Sequence, residues 1–98
     1  MIGTRIRFLR ERANISQSEL ARQLTVTRAS VNAWEGGLST PTAYYIVELA
    51  KIFHVSTDYI LGLDEDEHVS LSGLSEEEVS LLYHLLAFFN KRDSESSS

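Results

Sequence analysis

Thr27, Arg28, Ala29 and Asn32 form a short cluster of side chains that could read the edges of base pairs. A guanidinium such as that of Arg28 can donate two hydrogen bonds to guanine, and the carboxamide of Asn32 can pair with adenine. The methyl group of Ala29 can contact the methyl group of thymine. Each bidentate pairing discriminates against a wrong base by about 1–3 kcal/mol. The cluster could therefore recognise sequence if one helix presented its members together.

The sequence around this cluster predicts two short helices, over 17–24 and 28–35, joined by a three-residue turn. Ser16, with Glu19 three positions later, forms a capping box for the first helix, and Thr27 is an N-cap for the second. Helices this short on so tight a connection must cross at a steep angle, as in a helix-turn-helix unit. The second helix of such a unit fits the major groove of DNA, so we expect the cluster to face base edges.

Two motifs give the chain a resemblance to a known family. They are Ser-Gln-x-x-Leu-Ala, which begins at Ser16, and Trp-Glu-x-Gly-x-x-x-Pro, which begins at Trp34. With these motifs the chain resembles the lambda-type repressor/Cro (XRE-like) family of phage and bacterial regulators over residues 2–62. The resemblance implies an all-α fold, with a five-helix lambda-repressor-like domain that binds double-stranded DNA.

The resemblance also implies which residues contact the DNA backbone. Gln17, at the start of the 17–24 helix, matches a family residue that fixes a phosphate together with the free amides of that helix. Ser30, Ser39 and Thr40 are weaker phosphate candidates. The arginines of the first helix would supply sequence-independent, salt-dependent affinity as a set.

Other matched residues have structural roles in the family. Arg10 and Glu35 match an ion pair that ties the first helix to the end of the recognition helix. Trp34 shares a helix face with Val31, which favours a core position over base stacking. Thr25 departs from the family, which usually has glycine in this turn. If the turn requires a positive φ, a β-branched residue there is strained by about 1–3 kcal/mol.

The net charge of −5 conceals two halves of opposite sign. Residues 1–62 carry seven basic and five acidic residues, a balance of +2, whereas residues 63–98 carry two basic and nine acidic residues, a balance of −7. This asymmetry indicates a modestly basic domain with an acidic appendage kept away from phosphates. Affinity for DNA would then depend on a few well-placed arginines, on helix N-termini and on dimerisation.

The sequence offers no pattern typical of an enzyme, a cofactor site or a metal site. His54, His68 and His84 lack metal-ligand spacing, and no Gly-x-Ser-x-Gly elbow or glycine-rich phosphate loop is present. The acidic run over 64–67 lacks the spaced ligands of a calcium loop. The chain has no cysteine, and no apolar run approaches the length of a membrane helix. We therefore expect a cytoplasmic protein without cofactor or membrane association.

A predicted C-terminal helix carries more apolar surface than one helix can leave in water. That surface must pack on its own domain, on a twin helix or on another protein. We favour a homodimer, because DNA half-sites about 34–36 Å apart are matched by two-fold symmetric proteins. Burial of the side chains at about 1.5–3 kcal/mol each would outweigh the cost of association. The apolar residues form two rows, one of Val79, Leu82, Leu86 and Phe89 and the other of Leu81, Leu85 and Phe88.

Further start and stop signals complete the predicted organisation. The first helix spans 2–13, and a fourth helix ends near Phe53 with Pro41 in its first turn. Ser56 caps a fifth helix that stops at Gly62. The expected core residues repeat at helical spacing: Ile2, Ile6, Leu9, Ala13, Leu20, Ala21, Leu24, Val31, Trp34, Ala43, Ile46, Leu49, Ala50 and Phe53.

The chain thus divides into four predicted parts. They are a helix-turn-helix domain at 1–62, an acidic linker at 63–74, a dimerisation or partner helix at 75–92 and a disordered tail at 93–98. The helix itself is expected over 76–90, after a capping box of Ser75 and Glu78, and closes with Lys91 and Arg92.

These observations favour a dimeric, all-helical transcriptional regulator, most simply a repressor that binds a palindromic operator and competes with or contacts RNA polymerase. One alternative is an antitoxin that autoregulates its operon and masks a basic toxin with its C-terminal helix. Another is a protein-interaction adaptor that keeps the fold without using DNA. Gln17 and Arg28 argue against the adaptor, since a protein that does not bind DNA has no need of them.

Overall fold

A computed structural model describes residues 2–66, 71 and 73–96 of the chain, with side chains as far as residue 90. Residues 1, 67–70, 72, 97 and 98, which include Glu67 at the end of the acidic run and His68, lie outside the described residues. The described residues form an all-α fold of six helices. These are α1 (Ile2–Arg12), α2 (Gln17–Leu24), α3 (Arg28–Glu35), α4 (Ala43–Phe53), α5 (Thr57–Leu61) and α6 (Glu76–Ser96).

Serine and threonine caps start several of these helices where the sequence predicts them. The hydroxyl groups of Ser16, Thr27 and Ser56 each accept a hydrogen bond from the backbone N–H three residues later, at 3.0–3.1 Å. The capping box at α6 is complete, since Ser75 N–H also donates to the Glu78 carboxylate at 3.0 Å. These bonds satisfy amides that the first turn of a helix leaves unpaired.

The capping box predicted at α2 forms only in part. The carboxylate of Glu19 does not turn back to Ser16; it accepts hydrogen bonds from Arg22 at 2.6 and 2.9 Å and from Gln23 at 3.1 Å. A guanidinium one turn along the helix offers two charge-assisted bonds, which outweigh one bond to a neutral amide. The Arg22 and Gln23 bonds lower the pKa of Glu19 to about 2.

The first five helices share one apolar core. Helix α3 packs against α1 and α2, while α4 and α5 close the other side. Ile2 and Phe53 are partly buried against this core. The buried hydrophobic residues are Ile6, Leu9, Leu20, Ala21, Leu24, Val31, Trp34, Ile46, Leu49, Ala50, Val55, Tyr59 and Ile60.

Two residues predicted to lie in the core are exposed, and one residue predicted to lie in the first turn of α4 lies before that helix. Ala13 is exposed, because α1 ends at Arg12 and the chain then turns at Asn14, whose φ is 60°. Ala43 is also exposed, at the first position of α4. Pro41 is buried just before the helix and does not lie in its first turn. Thr42, in extended conformation with φ −68°, takes the N-cap position.

The turn between α2 and α3 requires a positive φ at Thr25, where a β-branched residue is unusual. Thr25 caps the C-terminus of α2 with φ 58° and ψ 44°, in the left-handed region. Its N–H and that of Val26 bond the last carbonyls of α2, so the conformation terminates the helix as glycine would. A β-branched side chain is strained there, and the predicted conflict is therefore present.

Helices α1 and α3 approach each other closely at Gly3. A Cβ atom at this position would lie 2.2 Å from the carbonyl oxygen of Trp34 and 3.0 Å from that of Glu35. Only hydrogen fits in this space, so Gly3 sets how near the start of α1 comes to the end of α3. No pattern in the sequence indicates this role of Gly3.

Helix α6 extends beyond its predicted end. It continues past Arg92 to Ser96, so residues 93–96 are helical and not part of a disordered tail. No extensive packing joins α6 to α1–α5 within the described ranges. None of the helices described is both long enough and apolar enough to cross a membrane.

Candidate nucleic-acid interface

The start of α3 presents the predicted base-reading cluster to solvent. Thr27, Arg28, Ala29 and Asn32 are all exposed, while Val31 and Trp34 on the opposite side of the helix are buried. The burial of that side fixes the rotation of α3, since both residues pack in the core. The cluster is therefore available to a ligand that approaches the surface of α3.

Arg28 is the unengaged cation of the cluster. Its guanidinium makes no hydrogen bond or ion pair with the part of the chain that the structure describes. A guanidinium on the first turn of a helix gains nothing from the helix dipole, which favours negative charge there. The side chain thus has no intramolecular reason for its position, and its donors are free for an external acceptor.

Gln17 and Asn32 lie in contact, although the sequence analysis treats them as separate candidates. The Gln17 side-chain amide donates to Asn32 Oδ1 at 3.2 Å and to Glu35 Oε1 at 3.1 Å. The first turn of α2 is thereby tied to the exposed and to the buried side of α3. Gln17 thus engages the oxygen of the exposed Asn32 carboxamide, whose N–H groups are its remaining donors.

The ion pair between Arg10 and Glu35 is present and has bidentate geometry. Arg10 Nε lies 2.6 Å from Glu35 Oε2, and Arg10 Nη2 lies 3.0 Å from Glu35 Oε1. The Glu35 side chain is only 4% exposed, and its hydrogen bonds raise the pKa of Arg10. Arg10 Nη1 also donates to the carbonyl of Ile15 at 2.9 Å. Arg10 therefore joins α1 both to the end of α3 and to the segment that leads into α2.

The weaker phosphate candidates differ in accessibility. Ser39 and Thr40 are exposed in the segment between α3 and α4. Ser30 is half-buried, and its hydroxyl lies 3.0 Å from that of Thr27. Thr27 also accepts the N–H of Ser30, so the hydroxyl groups of this pair already serve the cap of α3. Ser39 and Thr40 are the freer members of the set.

The arginines of α1 are engaged within the chain. The Arg5 guanidinium lies 3.9 Å from the ring centroid of Tyr59, and Arg7 forms an ion pair with Glu11 at 2.9 Å. The hydrogen bond to Glu11 raises the pKa of Arg7 and lowers that of Glu11. Arg12 lies 5.1 Å from the ring centroid of Phe8. Arg28 on α3 is therefore more available for contact with an external ligand than these three arginines of α1.

Tyr44 is a surface residue that sequence reasoning missed. It is exposed on the first turn of α4, with its ring centroid 5.1 Å from that of Tyr45. Tyr45 in turn packs 5.5 Å from Trp34 at the end of α3. A phenol held in this way can donate a hydrogen bond to a phosphate. The signal available in the sequence was the paired tyrosines directly after the Pro41 segment.

Helices α2 and α3 are short, are joined by the three residues 25–27 and pack on each other within the five-helix core. With polar side chains on the exposed side of α3, this arrangement defines a helix-turn-helix protein. The helix-turn-helix family model matches residues 6–60 of this chain, and the chain belongs to that family. The expected fold class and family are thereby confirmed, and the family is one of regulators rather than enzymes.

Several regulators and one repressor structure are similar to the chain. The transcriptional regulator DicA of Escherichia coli is 39% identical over 66 residues, which cover 67% of this chain and 49% of DicA. The prophage-derived regulator YonR of Bacillus subtilis is 33% identical and covers 88% of this chain and 94% of YonR. The P22 c2 repressor, solved in complex with a synthetic operator, matches with a TM-score of 0.62 and 30% identity over 65% of this chain and 97% of that chain.

The matched lengths differ between these relatives. The chain spans about half the length of DicA and of ImmR, a related regulator of Bacillus subtilis. The P22 c2 match covers about two thirds of this chain, a share that residues 1–62 would account for. The YonR match covers most of both proteins, so the likeness to YonR is not confined to one domain.

Proposed function

We propose that this protein is a sequence-specific DNA-binding transcriptional regulator, and specifically a cytoplasmic repressor. In this proposal α3 enters the major groove of a palindromic operator, and Thr27, Arg28, Ala29 and Asn32 read base edges. The observation that carries the proposal is the exposure of these four residues on a helix whose opposite face is locked in the core. The likeness to DicA and to an operator-bound repressor supports the same function.

Phosphate contacts would fix the position of the domain on the duplex. Gln17 lies at the N-terminus of α2, where unpaired amides favour an anion, while Ser39, Thr40 and Ser30 supply hydroxyl groups. Contacts of this kind set register without carrying sequence information. Base preference would then come from α3 and affinity from both groups of contacts.

The repressor would act as a homodimer. A palindromic operator presents two equivalent half-sites one helical turn apart, and a two-fold symmetric dimer binds both. Helix α6 has an apolar surface that the described part of the domain does not cover. That surface supports self-association through the predicted residues Val79, Leu81, Leu82, Leu85, Leu86, Phe88 and Phe89.

The test is selection of binding sites from random duplexes at one fixed salt concentration, with the full chain and with Arg28→Ala. The wild-type chain should enrich a palindrome. Arg28→Ala should lose preference at one symmetric position at a cost of about 1–3 kcal/mol, because a bidentate contact is removed. Failure of the wild-type chain to enrich any sequence would overturn the proposal.

Arg7→Ala is the matched control for this experiment. Arg7 is an exposed arginine on α1 that pairs with Glu11, and it does not belong to the recognition helix. Its removal should weaken binding to all sequences similarly and leave the enriched palindrome unchanged. An equal loss of base preference in both variants would remove Arg28 from the reading set.

A further inference from the structure

Most of the apolar surface of α6 is exposed, whereas Val79 and Leu82 are half-buried. Leu81 is 63% exposed and Phe88 58%, and Leu85, Leu86 and Phe89 are each close to half exposed. Seven large apolar side chains on one helix form a larger contiguous patch than monomeric proteins usually leave in water. A second helix of similar length could cover the patch.

The midline of this surface has the spacing of a helix-pairing seam. Glu78, Leu82, Leu85 and Phe89 follow one another at intervals of four, three and four residues, which keeps them on one line as two helices coil around each other. Leu81 and Leu86 flank this line. The seam therefore passes between the two apolar rows and uses both.

Charge along α6 is unequal between its ends. Glu76, Glu77 and Glu78 are exposed in the first turn. Beyond the last apolar residue the sequence places Lys91 and Arg92, followed by Asp93 and Glu95, so this end of α6 is balanced in charge and its basic residues lie nearest the apolar surface. A parallel pair of α6 helices would bring the glutamates of both copies together, at a repulsive cost. An antiparallel pair would instead set the acidic end of one copy beside the basic positions of the other. Antiparallel helix dipoles add to this preference.

Distance gives a second, independent reason. In an antiparallel pair centred between Leu82 and Leu85, the two Glu76 positions lie about 22 Å apart along the axis, at 1.5 Å per residue. In a parallel pair they are separated only by the distance between helix axes, about 8–10 Å. Recognition helices must reach half-sites about 34–36 Å apart. The antiparallel pair therefore delivers the two domains closer to the required separation.

We propose that the partner of α6 is the α6 helix of a second copy, paired antiparallel with Leu82 of one copy opposite Leu85 of the other. Each N-terminal DNA-binding domain then leaves the pair at an opposite end. The distance argument rests on the proposed DNA-binding function, whereas the charge and seam arguments do not. The pairing can accordingly be tested without DNA.

Energy transfer between labelled copies of the full chain measures the orientation. The chain has no cysteine, so Glu76→Cys and Asn90→Cys each provide one labelling site, and both residues are exposed outside the seam. Donor on Glu76→Cys is mixed with acceptor on Asn90→Cys in one sample and with acceptor on Glu76→Cys in the other. An antiparallel pair predicts stronger transfer in the first sample, because only there do the labels lie at the same end.

The opposite order would show a parallel pair and overturn the proposal. Equal transfer in both samples would mean that the copies associate through another surface, which also overturns it. Absence of transfer in both samples, together with sedimentation of the full chain as a monomer at every concentration, would mean that α6 does not pair with a second copy, which overturns the proposal as well. None of these outcomes bears on the base preference of Arg28, so failure here is distinguishable from failure of the proposed function.

Charge reversal provides a second measurement. Glu76→Lys with Glu77→Lys should raise the dimer dissociation constant several-fold in low salt, because the new lysines would then face Lys91 and Arg92 of the other copy. Adding Lys91→Glu and Arg92→Glu to the same chain should restore dimerisation. In a parallel pair the first variant would leave the dissociation constant unchanged, since like charges face each other before and after reversal.

Discussion

The buried carboxylate of Glu35 connects three helices to Asn32, one of the side chains proposed to read bases. It pairs with Arg10 of α1, accepts from Gln17 of α2, and through Gln17 reaches Asn32 on the surface of α3. A hydrogen-bonded series of this kind limits the rotamers of each member. The orientation of Asn32 is therefore set by Gln17 and, through Gln17, by the buried Arg10–Glu35 pair.

Thr25 is a site where one substitution should stabilise the protein. Its φ of 58° places a β-branched residue in the left-handed region, at a cost of about 1–3 kcal/mol. Thr25→Gly should raise the free energy of unfolding by up to about 1 kcal/mol, because relief of strain exceeds the entropy that glycine adds to the unfolded chain. Urea denaturation would measure this change.

Thr42→Gly is the control for Thr25→Gly. Thr42 has an extended φ of −68° and makes no side-chain cap hydrogen bond, so glycine relieves no strain there and only adds entropy to the unfolded state. This control should lower stability slightly. Equal changes in the two variants would contradict strain at Thr25.

At this scale the sequence predicts some contacts and misses others. The Arg10–Glu35 pair follows from the family resemblance, and the strain at Thr25 follows from its residue type. The Gln17–Asn32 bond could not be predicted, because it depends on the crossing angle of α2 and α3 and on two side-chain rotamers. The orientation of the Glu19 carboxylate was mispredicted because a capping partner and Arg22 compete for it.

At the level of helices, the packing of α1 on α3 makes Gly3 sensitive to substitution. A methyl group there would meet the Trp34 carbonyl at 2.2 Å, so α1 must shift away from α3. Gly3→Ala should lower the free energy of unfolding by about 1–3 kcal/mol, since the cost of overpacking exceeds the gain in helix propensity. Thermal unfolding followed by circular dichroism would measure it.

Gly36→Ala is the matched control for this variant. Gly36 has φ −84°, and a Cβ there would lie 3.3 Å from the Asn32 carbonyl oxygen, a contact that a small adjustment relieves. The expected change is therefore smaller than for Gly3→Ala. A neutral Gly3→Ala would show that the start of α1 is not held against α3.

The surface ion pair of Glu19 and Arg22 within α2 should make the stability of the protein depend on pH in the acidic range. Because Arg22 and Gln23 lower the pKa of Glu19 from its ordinary 4.5 to about 2, the folded state binds this proton less readily than the unfolded state. The stabilisation is therefore present above pH 4.5 and is lost as pH falls towards 2. The wild-type chain should be more stable than Glu19→Gln near neutral pH, and this difference should shrink towards pH 2.

The measurement is chemical denaturation of both chains across that pH range at low salt, because Glu19 is solvent-exposed and salt screens it. Glu48→Gln is the control, since the Glu48–Lys51 contact within α4 is longer, at 3.5 Å. Replacement of Glu48 should lower stability near neutral pH by less than replacement of Glu19, because the weaker contact is the one removed. A difference between wild type and Glu19→Gln that is independent of pH would contradict the ionic origin of the stabilisation.

Helix boundaries are well predicted where a cap defines them. Ser16, Thr27 and Ser56 start α2, α3 and α5 at the expected residues, because a side-chain hydroxyl bonds a specific amide. The start of α4 and the end of α6 are less well predicted. Pro41 suits a first helical turn but is buried outside the helix, and no glycine or proline follows Arg92 to terminate α6.

For the whole molecule, the two halves of the chain differ both in charge and in how much of their apolar surface is buried. Among the residues whose burial the structure describes, the buried hydrophobic ones lie between Ile6 and Ile60, within the half of the chain that carries a balance of +2. The acidic half contributes α6 and a linker from which Glu65 reaches Arg5 at 3.5 Å. The composition predicted these two halves, but the exposure of α6 depends on whether the core of α1–α5 has room for it.

Removal of α6 should therefore separate folding from assembly. A chain that ends at Gly62 retains all of the buried hydrophobic residues, so it should unfold cooperatively with the α1–α5 core intact. It should sediment as a monomer, whereas the full chain should sediment as a dimer. Operator affinity should fall steeply, because two linked domains bind adjacent half-sites with a high effective concentration that separate monomers lack.

The salt dependence of binding distinguishes this explanation from a damaged recognition surface. Each truncated monomer should keep the base preference of the full chain, while the slope of log affinity against log salt should fall to about half, because half as many phosphates are contacted. Loss of base preference would mean that α6 supports the recognition surface of its own copy. A truncated chain that still dimerised would place the interface within α1–α5.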